Sequence, residues 1–400
     1  MPLLVVSPNW PSSSELWMEH MNETLGDRLG MHASWGSRPT MTNDTDSSKN
    51  AVGRLETTGA VQFYELNAVA FDRARRLGVA PVARRFGFNP LRRLLERPEC
   101  ECVVCHYANL AVLLAPLWKQ CHQPLLVHVH GYDITWDYRM PHFPWLRRFS
   151  TRYPEQVVDL AKRAWFLANS KFTASRLIRA GVPADRVLLK YLGVPVNEKP
   201  PLRTHAYEPV ILYLGRLVDF KGPLETIEAF ELACRHGLKG QLIIAGDGPL
   251  RRACQRKADR SPFKSRIQLV GSVTATQGQQ LRESSDIFTA HNQLGPTTRQ
   301  EEAYGVAFVE AMAAGLPVVT GRSGGVSETV VDGSTGFLFS PGDITAHAEA
   351  LLQLALSPKQ RWQMGDAGHR RASEMFSQAA ERQAWNSIFT EIGRPDWVRL

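Results

Sequence analysis

Two glutamates, Glu302 and Glu310, stand eight positions apart around Gly305 in the stretch EAYGVAFVEAMAAGLP. On one continuous helix that offset is about 12 Å along the axis and about 80° around it. Carboxylates so placed cannot share a small metal ion or a proton, but they can hold two distant parts of one elongated ligand. Upstream, Gly215-Arg216 closes the run VILYLG, Lys221-Gly222 follows, and Pro223 opens a helix at the position where its missing N–H would be unpaired anyway. Two fixed cations beside the free N–H groups of a helix start make an anion site. His130-Gly131-Tyr132-Asp133 follows PLLVHV, and a histidine at a strand end, released by glycine, can reach into a cleft. His128 and His130 share one strand face, yet a metal between them lacks an acidic third ligand at the expected spacing.

These groups need elements that bring them together. In the second half, VILYLGR, QLIIAGDG, RIQLVG, DIFTAH and LPVVTG alternate with helical segments. Such alternation argues for a parallel sheet covered on both faces. LLVVS, CVVCHY, PLLVHVH and AWFLANS repeat the theme in the first half, and a proline-rich, polar stretch at 196–209 reads as a linker. The expectation is α/β: two Rossmann-like, doubly wound domains, 1–196 and 207–376, facing each other across a cleft. Every motif above falls at a strand end or in the turn after it.

Together these motifs resemble the signature of retaining glycosyltransferases of the GT-B fold, family 4, of the bacterial polysaccharide-biosynthesis type. The resemblance is strong from Ala164 to Phe376 and weak before Cys100. It implies a nucleotide-sugar donor (UDP-, GDP- or ADP-linked), a glycan or lipid-linked acceptor, and no cofactor. GRLVDFKG resembles the diphosphate loop, with Arg216 and Lys221 in the place of a metal. Glu302 would bond donor hexose hydroxyls and Glu310 the ribose hydroxyls, with the Gly305–Val306 amides near sugar and phosphate. Gly246 would shape the cleft floor and Gly271 meet the nucleobase. His130 would lie near the reacting centre, with Asp133 of the same HGYD loop among the ligand contacts. Ala303 departs from the family, where glycine is commoner. SPNWPSSSELW lacks the glycine-rich first loop; Trp10, Tyr132, Trp136 and Tyr138 either stack on acceptor sugars or pack ordinarily. Glu328 caps or braces rather than reacts. The segment at about 380–400 resembles the helix that crosses back onto the first domain.

Bulk properties bound the rest. Of 400 residues, 44% are apolar and 22% charged, with a net charge of +8. No apolar run approaches the roughly 20 residues that span a bilayer, and the start of the chain reads as a first strand rather than a leader. Six cysteines without framework spacing suggest a reducing compartment, hence the cytoplasm. Cys100, Cys102 and Cys105 lack a second ligand pair for zinc. Eight arginines between Asp72 and Pro98 form either a solvated helix face or a patch resting on an anionic membrane; Pro81 and Pro90 are expected to interrupt a helix there. No nucleic-acid motif is present. Two other readings stay open: a nucleotide-sugar epimerase or phosphorylase on the same fold, and a non-catalytic binding subunit.

Overall fold

A computed structural model describes residues 2–8, 16–34, 54–58, 61–65, 80–135, 149–201 and 208–392. Trp10, Trp136, Tyr138, Arg73, Arg75, Arg76, most of the first turn and part of the linker lie outside those residues. The strands are β1 (Leu3–Ser7), β2 (Leu29–Ser34), β3 (Arg54–Thr58), β4 (Val61–Glu65), β5 (Cys102–His106), β6 (Leu125–Val129), β7 (Ala164–Ala168) and β8 (Val187–Leu189) in the first half. The second half adds β9 (Val210–Leu214), β10 (Gln241–Ala245), β11 (Ile267–Gly271), β12 (Ile287–Ala290), β13 (Val318–Gly321) and β14 (Gly336–Phe339). Two sheets result, ordered β3-β4-β2-β1-β5-β6-β7-β8 and β11-β10-β9-β12-β13-β14. All neighbouring pairs run parallel except β3 with β4. This is the two-domain Rossmann-like architecture that the strand–helix alternation predicts.

β1, β5, β6 and β7 are buried at every position, which is what a parallel strand covered on both faces requires. The apolar-run criterion passes over β2, β3, β4 and β14. β2 contains Gly30 and His32, β3 is mostly polar, and β14 is only four residues long. The arginine-rich stretch also differs from expectation. One helix spans Ala80–Leu95 despite Pro81 and Pro90. Pro81 falls in the first turn, where no N–H partner is needed, and burial of Leu91, Leu94 and Leu95 offsets the defect at Pro90.

After β14 the chain returns to the first sheet. The helix Gln378–Ile392 places Trp385, Ile388, Phe389 and Ile392 in one core with Leu3, Val5, Leu126, Trp165 and Leu167. Beside them an ion pair is fully enclosed: Lys190, just past β8, donates to Glu381, with side chains 0% and 1% exposed. The other Glu381 oxygen accepts from the Gly193 N–H at 3.1 Å, and the ammonium lies 4.7 Å from the centre of the Trp385 ring. Burial pulls the lysine down, and the Glu381 charge and hydrogen bond oppose that. Removing one partner strands a buried charge. Glu381→Ala should therefore cost about 3–5 kcal/mol in a denaturant melt, while replacing both residues with apolar ones should cost much less. Equal losses for the single and double variants would contradict this account.

Candidate functional site

Both sheets reverse their strand order next to their first strand. In the first sheet the reversal separates β1 from β5; in the second it separates β9 from β12. Crevices outside the carboxyl ends of strands at such points are where doubly wound sheets take ligands. The loop after β9 carries Arg216 and Lys221, β12 runs into His291-Asn292, and β5 ends at His106.

The candidate residues meet at the second of these points. Lys221 Nζ donates to Glu302 Oε2 at 2.8 Å, with side chains 18% and 12% exposed. Asn292 Nδ2 donates to the same oxygen at 3.2 Å. Burial raises the Glu302 carboxyl, but the charge and hydrogen bond of Lys221, the Asn292 contact and the Arg216 charge outweigh it and hold the group below its ordinary value. Arg216 itself is exposed. Asp219 braces this loop against the segment leading to Glu302: its carboxylate accepts from the Thr297 and Thr298 N–H groups at 2.9 and 2.8 Å and from Thr298 Oγ1 at 2.7 Å.

Glu302 lies before the helix and Glu310 inside it. Gly305 forms the N-cap of the helix Val306–Ala313 at φ 88°, and a Cβ there would meet the Phe308 ring at 2.4 Å. Glycine is therefore required both by backbone and by space. Glu310 is paired from another direction: Arg282 Nη1, on the helix Ala275–Glu283, donates to Glu310 Oε2 at 3.1 Å. Gly246 and Gly271 end neighbouring strands and are joined by a 2.7 Å bond from the Gly246 N–H to the Gly271 carbonyl.

The first half meets this site along one segment, Gln300–Tyr304. Thr135 Oγ1 donates to Gln300 Oε1. Arg176 pairs with Glu301 at 2.7 Å, Ser170 Oγ donates to the Ala303 carbonyl at 2.6 Å, and Tyr304 Oη donates to the Leu192 carbonyl at 2.9 Å. Gly131, at φ 124°, lies so close to Ala303 that a Cβ would stand 2.7 Å from the alanine methyl. Glu328 accepts from the Lys171 and Phe172 N–H groups at 2.7 and 2.8 Å, capping the helix Lys171–Arg179 from the other half.

The HGYD loop differs from expectation at Asp133. Asp133 is fully buried: Oδ1 accepts from the His130 and Gly131 N–H groups at 3.0 and 2.9 Å, and Oδ2 from the Ala108 N–H at 2.8 Å. Its carboxylate ties the loops after β5 and β6 together rather than facing a ligand. The His130 ring is likewise engaged by the sheet: Nε2 is 3.1 Å from His106 Nδ1, and Nδ1 is shielded from solvent. Tyr132 packs between the Tyr107 and Phe149 rings, the ordinary packing alternative. Asn292, Asp219, Arg282 and His106 were passed over in the sequence. Asn292 could have been found from its place just beyond a strand end; Arg282 sits in a charged helix that reads as surface.

Two family models match the chain: residues 40–193 match the glycosyl transferase 4-like domain and residues 197–371 match glycosyl transferases group 1. The chain belongs to the GT-B glycosyltransferases of family 4. This glycosyltransferase is 28% identical over 289 residues to the GDP-mannose-dependent alpha-(1-6)-phosphatidylinositol monomannoside mannosyltransferase of Mycolicibacterium smegmatis, covering 70% of this chain and 73% of that one. It is 29% identical over 197 residues to the amylovoran biosynthesis glycosyltransferase AmsK of Erwinia amylovora, covering 49% and 48%. Its fold is similar to that of Anabaena HepE in complex with UDP, with TM-score 0.70, 19% identity and coverage of 98% and 100%. Of these, the first is named for a mannosyl transfer to a phosphatidylinositol mannoside and the second for amylovoran biosynthesis.

Two histidine clusters complete the surroundings of the candidate site. His106, His128 and His130 place one ring nitrogen each within 4.8 Å of the others, a third imidazole that spacing alone did not reveal. Lys190 acts on all three rings and opposes a cation there. Under the anion loop, a second cluster is fully directed. The Gly342 N–H donates to His291 Nε2 at 3.1 Å, so His291 Nδ1 carries the proton and donates to His347 Nδ1 at 3.0 Å. His347 Nε2 then donates to Thr289 Oγ1 at 2.7 Å, and Thr289 donates to the Val319 carbonyl at 2.9 Å. Protonating His291 at Nε2 would remove the acceptor of the Gly342 N–H and break that bond.

Burial lowers His291 to about 4 and His32, bonded to Ser7 in the first sheet, to about 3. Both folded values lie below the ordinary histidine value of 6.5. The unfolded chain thus binds more protons, and stability falls as pH drops below 6.5, by about 1.4 kcal/mol per pH unit for each ring until its folded value is reached. At about pH 5.5 these two alone should remove roughly 2–3 kcal/mol relative to neutral pH. A melting temperature unchanged between the two conditions would refute the neutral-histidine assignment.

Proposed function

We propose that this glycosyltransferase moves a hexosyl unit from a nucleotide-sugar to a glycan or lipid-linked oligosaccharide, with retention and without a metal, in cell-surface polysaccharide biosynthesis. The observation that carries the proposal is the Lys221–Glu302 pair, held at the strand-order reversal with Arg216 on the same loop. The donor would part the pair. Its diphosphate takes Lys221 and Arg216 together with the helix start at Pro223, and hexose hydroxyls take the Glu302 carboxylate. Charge grows on the diphosphate as the glycosidic bond breaks, and cations already aimed at it lower the barrier. They supply the charge neutralisation that a bound metal would give, while the Gly305–Val306 amides serve the sugar–phosphate junction. The acceptor hydroxyl attacks on the face from which the diphosphate departs, and no protein nucleophile is assigned.

The names of the relatives support a donor of this class: one is GDP-mannose-dependent and another binds UDP. An anionic leaflet is the proposed place of work. Arg92, Arg93 and Arg97 stay exposed beside buried Leu91, Leu94 and Leu95, and a cation near such a surface contributes about 1 kcal/mol. Among the described residues no helix is long and apolar enough to cross a membrane.

Thermal stabilisation by UDP, GDP, ADP and their sugar conjugates, without added metal, tests the donor class. One base family should raise the melting temperature, and Arg216→Ala should abolish the rise; no shift with any nucleotide would overturn the proposal. With the donor known, Glu302→Ala should cut transfer by about 10- to 100-fold, the worth of a hydrogen bond to a charged group, while nucleotide binding persists. Unchanged transfer would remove Glu302 from its role.

A further inference from the structure

Each of the two site glutamates is held by a cation from another loop or helix, but only the first pair belongs to the motifs read from the sequence. The second partner, Arg282, lies in the last turn of the helix Ala275–Glu283, which follows β11 and the Gly271-Ser272 turn. It turns inward rather than to solvent. Gly278, one turn earlier, has no side chain, and a Cβ there would stand 3.7 Å from Arg282 Nη1 and 3.6 Å from Leu214 Cδ2. The guanidinium runs past Gly278 in ordinary contact distance, beside the end of β9, where the loop carrying Arg216 and Lys221 begins. Its Nη1 meets Glu310 Oε2 at 3.1 Å, and the two side chains are only 15% and 17% exposed.

A surface ion pair of this length would mean little. Here both partners are mostly enclosed, and Glu310 projects from a helix whose other faces are core: Phe308, Val309, Ala311 and Met312 are buried. Arg282 occupies one carboxylate oxygen, which restricts rotation about the terminal torsion of Glu310. The other oxygen is then presented in a set direction. A guanidinium does this better than an ammonium, because its planar fork fixes direction as well as charge.

We infer that Arg282 is a positioning residue for nucleotide recognition: by clamping Glu310 it sets the transferase's preference for ribose over deoxyribose in the donor. This rests on the nucleotide-sugar reading above and on Glu310 as the ribose contact. Arg282 touches the carboxylate, not the reacting atoms, so its loss changes which nucleoside diphosphate is held rather than the chemistry of transfer.

The test compares calorimetric affinities for UDP against 2′-deoxy-UDP and GDP against 2′-deoxy-GDP, using the full chain and its Arg282→Met, Arg282→Lys and Glu310→Gln variants. Melting temperatures confirm that each variant is folded. Wild type should prefer ribose by about 10-fold or more, the worth of a hydrogen bond to a charged group. Arg282→Met should reduce that preference to within about 3-fold, close to Glu310→Gln, and Arg282→Lys should fall between, because it keeps the charge without the fork. A merely structural role would weaken ribose and deoxyribose nucleotides alike and leave their ratio unchanged; that result overturns the inference. So does a larger ratio in Arg282→Met, which would mean that the arginine competes with ribose for Glu310. An unchanged ratio in Glu310→Gln overturns it as well, by removing the ribose contact. If wild type binds none of the four nucleotides, the donor reading fails and this inference with it, an outcome visible before any variant is made.

Discussion

A carboxylate that is mostly enclosed is costly unless a cation meets it, and the site is organised around meeting that cost at Glu302. Lys221 arrives from the loop after β9, Asn292 from the end of β12, and Arg216 adds its charge from the same loop as the lysine. None of these contacts is local in sequence: Lys221 and Glu302 are separated by 81 positions. They meet because β9 and β12 are neighbours in the second sheet although β10 and β11 intervene in the chain. Asp219 then fixes the distance between the two loops by accepting three hydrogen bonds from Thr297 and Thr298.

The same short segment that presents Glu302 is the seam between the halves. Gln300, Glu301, Ala303 and Tyr304 each bond or pack against a residue of the first half, while the side chain of Glu302 turns to Lys221. Four of these five residues thus serve the seam and one serves the site. Ala303, where the family commonly has glycine, fits because the opposing residue is Gly131; the contact between them leaves room for one methyl and no more. Glu328 strengthens the seam from a second place by capping the helix Lys171–Arg179 and accepting from the Tyr191 hydroxyl at 3.2 Å. A displacement of either half would therefore be felt at Glu302 through its immediate chain neighbours.

Two buried polar networks elsewhere follow a similar logic of pairing. Lys190 and Glu381 join the end of β8 to the returning C-terminal helix, and the Thr289–His347–His291 chain fills the space beneath the anion loop with hydrogen bonds that have one consistent direction. Such networks favour a single arrangement when every member is satisfied. They also tie the site to the sheets, since His291 accepts from Gly342 through its ring and its backbone N–H meets the Lys221 carbonyl at 3.2 Å.

Fully buried parallel strands such as CVVCH and LLVHV need an unbroken apolar run, and helices after them need capping residues, so the alternation of elements and the strand-end placement of Arg216, Lys221, Glu302 and His130 are legible from residue order alone. Gly305 and Pro223 likewise declare the helix starts they occupy. Strands that pair at the margins were not legible, because β3 and β14 are too polar or too short to show a pattern. Nor was the helix across Pro90, where burial of three leucines outweighs local propensity. The direction in which a polar side chain turns was equally hidden. Asp133 shares a motif with His130 yet spends both oxygens on backbone N–H groups, and Arg282 looks like a surface residue yet turns to Glu310. The sequence by itself determined where the strands end and which loops follow them with cations and carboxylates, since strand periodicity and chain stops are local properties. Only the tertiary structure decided which cation meets which carboxylate, because those partners lie far apart in the chain and are chosen by strand order and enclosure.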